Sequence, residues 1–269
     1  MYLHVALRIA QYLKLSDNRL ALETAGRIVA GKLTNMHPLL LIRARQYQDD
    51  GIRHAAARLS AIKRTVLKPR NFDVLRGLEG AATRIYYGTF RRLIRNESFT
   101  FNVRNRRPPL DPINAMLSFV YTLLTNEVLS AIKACGLDPY LGSLHEVSYG
   151  RPSLACDLVE EYRSFLGDRL VLGLINRKAV KPEDFIFRKT PPAECVDEIE
   201  MKARRPVQMN PAISRAFVSA YEQMMMRQIF YEPLEKKIGY RWLIMNQVRQ
   251  FGRYLEDPEK VYQPFVWEN

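Results

Sequence analysis

One histidine and three acidic residues lie close together in the middle of the chain, at a spacing that could hold a metal ion. His145 comes before a turn at residues 149–152. Asp157, Glu160 and Glu161 follow the turn, in a segment where leucines recur at helical spacing. A helix would place acids spaced i, i+3 and i+4 on one of its sides. An imidazole nitrogen that faces carboxylates suits manganese or magnesium. The same spacing also fits a surface helix with solvated acids and a histidine that caps a turn.

A further carboxylate comes from a separate part of the chain. Glu79 lies between Leu78 and Ala82 on the apolar stripe of a predicted helix, so it projects from the core-facing side. Burial of an unpaired carboxylate is costly, so we expect a partner for it. That partner is either a metal ion or a nearby arginine, with Arg76 and Arg84 as the local choices.

The charge balance favours a polyanionic partner. The chain has 41 Lys and Arg against 28 Asp and Glu, which gives a formal net charge of +13 and a pI near 9.7. Nucleic acid is the first choice for such a chain, and an anionic membrane surface is the alternative. No uninterrupted run reaches the length of a membrane span. The basic loop at residues 103–109 presents Arg106 and Arg107 for phosphate contact, unless it is simply a solvated loop.

Apolar periodicity predicts an all-α protein, an irregular multi-helix bundle with a few short extended segments. Ser16 and Asp17 are the expected N-cap of a second helix, and His37-Pro38 is expected to interrupt the helical pattern. Asp111-Pro112 is expected to cap and begin an apolar core helix, with Asn114 placed to hydrogen-bond near the site. The remaining expectations are a loop at residues 49–51, extended pieces within 181–205, helices at 212–231 and 242–255, and an aromatic tail at 262–267 that docks on its own domain or on a partner.

The cysteines indicate a reducing compartment. Cys135, Cys156 and Cys195 show no C-x-x-C spacing, and an odd number suits neither a disulfide framework nor a zinc ribbon. The beginning of the chain lacks the small-residue cleavage site of a signal peptide. A cytoplasmic location is therefore expected.

Three blocks, taken in order, resemble the CRISPR-associated integrase-nuclease family Cas1. They read LRGLEGAA, NRRPPLDPINAMLSFVYTLL and GLDPYLGSLHEVSYGRPSLACDLVEEYR, and the likeness continues through LINRKAV to the end of the chain. The nearest likeness is to the I-C branch. The resemblance implies that Glu79, His145 and Glu160 are the metal ligands and catalytic residues, with Asp157 behind them. In this resemblance Asp157 supports the ligands or contacts the metal ion through water. DNA contacts are implied for Arg106, Arg107, Arg151, Arg163, Arg177 and Lys178.

The resemblance implies integration of short DNA into a CRISPR array, with Mn²⁺ or Mg²⁺ as cofactor. A 3′-hydroxyl would attack a phosphodiester of the repeat, and attack by water at the same site would be nuclease activity. The implied partners are double-stranded DNA, the small protein Cas2 and a second copy of the chain.

The domain division expected from this resemblance is a single helical catalytic domain over residues 1–269. It comprises N-terminal helices (1–67), a metal-site core (68–178), and C-terminal helices with the tail (179–269). The family's β-rich N-terminal domain is expected to be absent, which would weaken dimerisation. Two other functions stay open. One is a metal-free helical nucleic-acid-binding module, for which the positive net charge is the only support. The other is an inactive truncated remnant. A requirement for manganese or magnesium separates the enzyme from the binding module.

Overall fold

The computed structural model describes residues 2–106, 108–188 and 206–267, and it is mostly helical, so the all-α prediction roughly holds. The helices are α1 (Tyr2–Ser16), α2 (Asn18–Tyr47), α3 (Asp50–Val66), α4 (Phe72–Phe90), α5 (Pro112–Ala134), α6 (Ser153–Leu158), α7 (Glu160–Tyr162), α8 (Arg169–Asn176), α9 (Pro211–Met225) and α10 (Tyr240–Glu256). The strands β1 (Phe185–Phe187) and β2 (Val207–Met209) form one antiparallel pair, and β3 (Gln228–Tyr231) and β4 (Lys236–Gly239) form another.

The predicted helix caps at the start of α2 and α5 are confirmed. The Asp17 carboxylate accepts hydrogen bonds from the backbone N–H groups of Arg19 and Leu20, each at 2.9 Å. The Asp111 carboxylate accepts one from the N–H of Asn114 at 2.8 Å, and Pro112 is the first helical residue. These side chains satisfy donors that have no partner within the helix, so they fix where α2 and α5 begin.

The predicted interruption at Pro38 is wrong, because α2 continues through it. A proline inside a helix removes one backbone hydrogen bond and destabilises the helix locally. Met36, Leu39 and Leu40, on both sides of Pro38, are buried in the core. Their burial outweighs the lost hydrogen bond and keeps the long helix in one piece.

Two other predicted boundaries are also wrong. The Asp49 side chain accepts a hydrogen bond from Ile52 N at 3.1 Å and caps α3, which begins at Asp50. The expected loop at 49–51 is therefore only a short turn, in which Gln48 has a left-handed backbone conformation. The predicted helix at 212–231 ends at Met225, and residues 228–231 form β3 instead. The β-favouring sequence of this strand pairs with β4, and Pro233 opposes a longer helix.

Helix α5 is the central core helix. It packs against α6, α8, α10 and β2 and buries an apolar series from Ile113 to Ile132. Among the described residues, α5 alone is long and apolar enough to cross a membrane by length and composition. Half of its most apolar window is buried inside the protein, as expected for the core helix that the sequence predicted.

A nearly continuous helical segment from α6 to α8 carries the acidic residues. Arg163–Asp168 between α7 and α8 is a π-helical turn, a feature that often marks functional sites.

The aromatic tail packs against this segment, with the ring of Phe165 lying 5.3 Å from Phe265 and 5.2 Å from Trp267. Of the two predictions for the tail, docking on its own domain is the one observed. Of the predicted extended stretch, β1 is seen, whereas residues 189–205, including Cys195, lie outside the described residues.

Candidate functional site

The three predicted metal ligands line one cavity of about 630 Å³. Glu79 reaches it from α4, His145 from the loop before α6, and Glu160 from α7. The side chain of Glu160 is 4% exposed, that of Glu79 is 26% exposed and that of His145 is 32% exposed. The fold therefore brings together residues that are widely separated in the sequence.

The partner of Glu79 is Lys32 of α2, so the prediction of Arg76 or Arg84 is wrong. The Lys32 ammonium pairs with Glu79 Oε1 and lies 2.9 Å from Glu160 Oε2. Arg76 instead pairs with Glu146, with Nη2 2.6 Å from Oε1. Burial lowers the pKa of Lys32, but the charges of Glu160 and Glu79 outweigh burial and raise it. The ammonium therefore stays charged between the two carboxylates.

Arg163 neutralises the other oxygen of Glu160. Its Nη1 lies 2.7 Å from Glu160 Oε1, and its guanidinium lies 5.0 Å from the centre of the Tyr121 ring. Burial would raise the pKa of Glu160, but the charges of Arg163 and Lys32 lower it to about 2. Arg163 lines the cavity as expected, but its charge is engaged by Glu160 rather than aimed freely at a phosphate.

Asp157 fixes the loop that carries His145. Its fully buried carboxylate accepts hydrogen bonds from the backbone N–H groups of Ser143 (2.6 Å), Leu144 (3.0 Å) and His145 (2.9 Å). Asp157 Oδ1 also lies 2.7 Å from His145 Nδ1. A carboxylate accepts the Nδ1 proton, so the lone pair of the imidazole is on Nε2, the arrangement typical of metal-binding histidines.

Glu161 does not join the other acids, so the prediction that all three share one side of a helix is wrong. Its carboxylate accepts hydrogen bonds from the Tyr262 hydroxyl and from the Phe265 backbone N–H at 2.7 Å, within the docked tail. Burial raises the pKa of Glu161 to about 8, although both hydrogen bonds oppose that shift. Glu161 therefore anchors the tail.

Comparison with known proteins identifies the family. The sequence profile of the CRISPR associated protein Cas1 family matches residues 1–222. The chain belongs to the Cas1 family. It is 35% identical to CRISPR-associated endonuclease Cas1 1 of Chlorobaculum tepidum, over 98% of this chain and 75% of the relative. It is also 35% identical to CRISPR-associated endonuclease Cas1 of Leptospira interrogans, over 97% of this chain and 100% of the relative.

Solved structures have the same fold. A CAS1 protein from Thermotoga maritima has a TM-score of 0.74 and 28% identity, over 92% of this chain and 69% of that one. The partial Cas6-RT-Cas1–Cas2 complex has a TM-score of 0.79 and 25% identity, over 96% of this chain and 71% of that one. These matches leave the I-C branch, the three-part division and the absent β-rich domain as predictions.

The side chains at the site of this Cas1-family protein fit a divalent metal ion, although they do not form a ready set of ligands. Among the described residues, no group of three or more His, Cys, Asp or Glu side chains is placed to hold a metal ion. Lys32 explains this, because its ammonium lies between Glu79 and Glu160. Glu160 Oε2 is buried, and its contact with Lys32 lacks hydrogen-bond geometry. Two carboxylates and one imidazole are donors that manganese or magnesium accepts.

Several arginines line the cavity. Of the predicted DNA-binding residues, Arg106, Arg151 and Arg163 line it. Arg177 and Lys178 are exposed but do not line it, and Arg107 lies outside the described residues. Asn114 lies near the site as expected, since its Oδ1 accepts hydrogen bonds from Arg104 Nη1 (2.8 Å) and from the Asn105 backbone N–H (3.0 Å). Arg104, the third arginine of the predicted basic loop, also lines the cavity, as does Arg76, for which no DNA contact was predicted.

A buried tyrosine–aspartate network that the sequence analysis missed borders the cavity. The Asp168 carboxylate accepts hydrogen bonds from Tyr121 and, at 2.6 Å, from Tyr86. The Tyr87 hydroxyl lies 2.6 Å from that of Tyr121. Burial raises the pKa of Asp168 to about 6, and the two tyrosine hydrogen bonds oppose the shift. The network ties α4 and α5 to the end of the π-helical turn.

Lys32 was missed although the sequence contains a signal for it. It follows Ile28 and Val29 and precedes Leu33 and Met36 on a predicted helix, all of which are buried. A lysine on an apolar helix face requires a carboxylate partner, because a buried unpaired ammonium is costly. The sequence does not reveal which carboxylate, because Glu79 is 47 residues away.

Proposed function

We propose that this protein is a divalent-metal-dependent DNA endonuclease and integrase that inserts new spacer DNA into a CRISPR array. The observation that carries the proposal is the convergence of Glu79, His145 and Glu160 on one cavity that is also lined by arginines. The names of the relatives, CRISPR-associated endonucleases, support the nuclease part. The net charge of +13 supports DNA as the partner.

Strand transfer exchanges one phosphodiester for another. The 3′-hydroxyl of the incoming DNA loses its proton and its oxygen forms a bond to a phosphorus of the target strand. The bond from that phosphorus to the 3′-oxygen of the target strand breaks, and this leaving oxygen takes up a proton. The bonds formed and broken are of the same kind, so the reaction needs no energy source. With water in place of the 3′-hydroxyl, the same exchange is hydrolysis.

Each residue of the site has a role that follows from its position. Arg106 and Arg151, which line the cavity, would bind phosphates of the DNA backbone. Asp157 holds His145 with Nε2 available as a ligand. Glu79, His145 and Glu160 would hold Mn²⁺ or Mg²⁺, which when bound polarises the phosphodiester and stabilises the leaving oxygen. Arg163 keeps Glu160 ionised, the form that a metal ion requires.

The proposed partners are double-stranded DNA, Cas2 and a second copy of the chain. The solved complex of similar fold contains both Cas1 and Cas2, which supports a Cas2 partner. The cytoplasmic location expected from the cysteines is part of the proposal, because CRISPR arrays are DNA of the cell interior.

A metal-free nucleic-acid-binding module is the second candidate function. The position of Lys32 favours it, because its ammonium already neutralises Glu79 and Glu160. Such a module would bind DNA equally well with EDTA and with manganese, and it would not change the covalent structure of the DNA.

The experiment that separates the two functions combines strand transfer with DNA binding. Supercoiled plasmid and a short labelled duplex are incubated with the protein in MnCl₂ or in EDTA, with and without Cas2. The enzyme predicts label joined to the plasmid in manganese alone. Tight DNA binding in both buffers without any joined or cut product would favour the binding module.

A further inference from the structure

We propose that Lys32 is the resident cation of this site: its ammonium holds Glu79 and Glu160 together, and a divalent metal ion binds only by displacing it. This inference rests on the proposed function, since it assumes that the two carboxylates ligate a metal ion. It adds that the site is closed by a residue of the chain until the metal enters.

The charges of the cluster are already balanced without a metal ion. The cluster contains two carboxylates, Glu79 and Glu160, and two cations, Lys32 and Arg163, so its formal charge is zero. A divalent ion added to all four groups would leave two uncompensated positive charges beside Lys32 and Glu160, whose side chains are only 7% and 4% exposed. Such charges are costly where the dielectric is low. Metal binding therefore requires that one of the resident cations move away.

Of the two resident cations, Lys32 is the one that is free to move. Arg163 is planar, lies 2.7 Å from Glu160 Oε1 and rests on the Tyr121 ring. Lys32 carries a compact charge on a flexible stem. Its ammonium donates a hydrogen bond to Glu79 and lies 2.9 Å from Glu160 Oε2, at the distance of an ion pair. Because rotation of the stem alone can carry this ammonium away, whereas the Arg163 guanidinium is held against a ring, Lys32 is the cation that moves.

The Lys32 side chain has open space to enter while its backbone stays in place. Lys32 lines the cavity, so its ammonium can turn into the open space beside the carboxylates. The adjacent Gly31 packs against Pro264 of the docked tail, and a Cβ added at Gly31 would come within 2.5 Å of Pro264 Cβ. This tight contact holds α2 at the level of Lys32, so displacement of the ammonium needs no movement of the helix.

The test is the affinity for Mn²⁺ of Lys32→Met, which keeps the length of the side chain but removes its charge. We expect Mn²⁺ to bind roughly tenfold or more tightly than to the wild type, as measured by calorimetry, because the metal no longer competes with an ammonium. The rise in melting temperature on replacing EDTA with MnCl₂ should also be larger. Lys32→Arg retains the charge and should bind Mn²⁺ no more tightly than the wild type.

The matched control is Lys14→Met, the same change at another buried lysine. Its ammonium donates hydrogen bonds to the backbone carbonyls of Tyr254 (2.5 Å) and Asp257 (2.8 Å), and Lys14 does not line the cavity that contains Glu79. This variant should lose thermal stability and keep the wild-type affinity for Mn²⁺. If Lys32→Met fails to fold in EDTA, the proposal predicts that Mn²⁺ restores its folding.

The outcomes distinguish this inference from the function on which it rests. Wild-type protein that binds Mn²⁺ while Lys32→Met binds it equally or more weakly would overturn the inference and leave the proposed function intact. Failure of Mn²⁺ to restore the folding of Lys32→Met would also overturn it. Wild-type protein that binds no Mn²⁺ at millimolar concentration would overturn the metal-dependent function itself.

Discussion

Glu160 and Glu161 are neighbours in the sequence, yet their carboxylates serve two different parts of the structure. Glu160 pairs with Lys32 and Arg163 at the cavity, whereas Glu161 accepts hydrogen bonds from the tail residues Tyr262 and Phe265. Burial raises the pKa of Glu161 to about 8, whereas the cations lower that of Glu160 to about 2. The same helical turn therefore holds a charged acid for the site and a proton-binding acid for the tail.

The first prediction concerns the stability of Glu161→Gln as a function of pH. The folded-state pKa of Glu161, about 8, lies above its ordinary value of 4.5, so the folded protein binds this proton more tightly than the unfolded chain does. Ionisation therefore lowers stability, with no effect below about pH 4.5 and a growing loss up to about pH 8. Glutamine cannot ionise, so the variant should gain stability relative to the wild type across this range.

Thermal unfolding at several pH values between 5 and 8 measures this difference. Glu183→Gln, a change at an acid that is not buried, is the control and should show no such trend. Melting temperatures of Glu161→Gln and the wild type that differed by the same amount at every pH would contradict the conclusion that Glu161 is protonated in the folded protein.

The second prediction is that the tail stabilises the fold through Trp267. The residue is 8% exposed, its ring lies 5.2 Å from that of Phe165, and its backbone N–H donates a hydrogen bond to Asn35 Oδ1 at 2.7 Å. Trp267→Ala should lower the free energy of unfolding by about 3 kcal/mol, because it removes a large buried ring. Val266→Ala, at a neighbour that is 38% exposed, should change it by less than about 1 kcal/mol. Urea denaturation that gave equal losses for the two variants would show that the tail does not dock as described.

The sequence predicted the parts of this fold that depend on local interactions. Asp17 and Asp111 each cap a helix through N–H groups two or three residues away, so local spacing suffices to identify them. Pro38 was assigned wrongly because the local penalty of proline is outweighed by burial against distant parts of the chain. The strand at 228–231 depends likewise on its pairing with β4.

The same distinction applies to the site. The three candidate ligands were found from the resemblance of short sequence blocks, and the fold brings them to one cavity. The pairing of Lys32 with Glu79 and of Glu161 with Tyr262 joins residues 47 and 101 positions apart, which spacing within a helix cannot reveal. The sequence indicated that buried charges needed partners but did not identify the partners.

The third prediction is that loss of the Asp157 carboxylate destabilises the fold more than loss of the His145 imidazole does. Asp157→Ala leaves three backbone N–H groups of the His145 loop without their acceptor. We expect a loss of at least about 2 kcal/mol in the free energy of unfolding, because each unsatisfied buried donor costs about 1–3 kcal/mol. His145→Ala removes one side-chain contact of a partly exposed ring and should cost less than about 1 kcal/mol. Equal urea midpoints for Asp157→Ala and the wild type would refute this role.

The fourth prediction concerns DNA contact at the cavity. Arg106 is exposed, lines the cavity and forms no ion pair with the described residues. Arg106→Ala should lower the slope of log affinity against log salt by about 0.9, the value for one lost phosphate contact, with little change in sequence preference. Arg53→Ala, at an exposed arginine of α3 paired with Asp50, is the control and should keep the wild-type slope. An unchanged slope for Arg106→Ala would mean that this residue does not contact the DNA backbone.

The most direct test of the account is strand transfer measured against metal for the wild type, Glu79→Gln and His145→Ala. The assay follows the joining of a labelled duplex to supercoiled plasmid in the presence of Cas2, and circular dichroism checks that each variant is folded. We predict that the wild type joins the duplex in MnCl₂ but not in EDTA, and that both folded variants lose more than about 100-fold in rate. Joining that proceeds equally in EDTA, or that survives in both variants, would contradict the assignment of Glu79, His145 and Glu160 as the metal-binding centre.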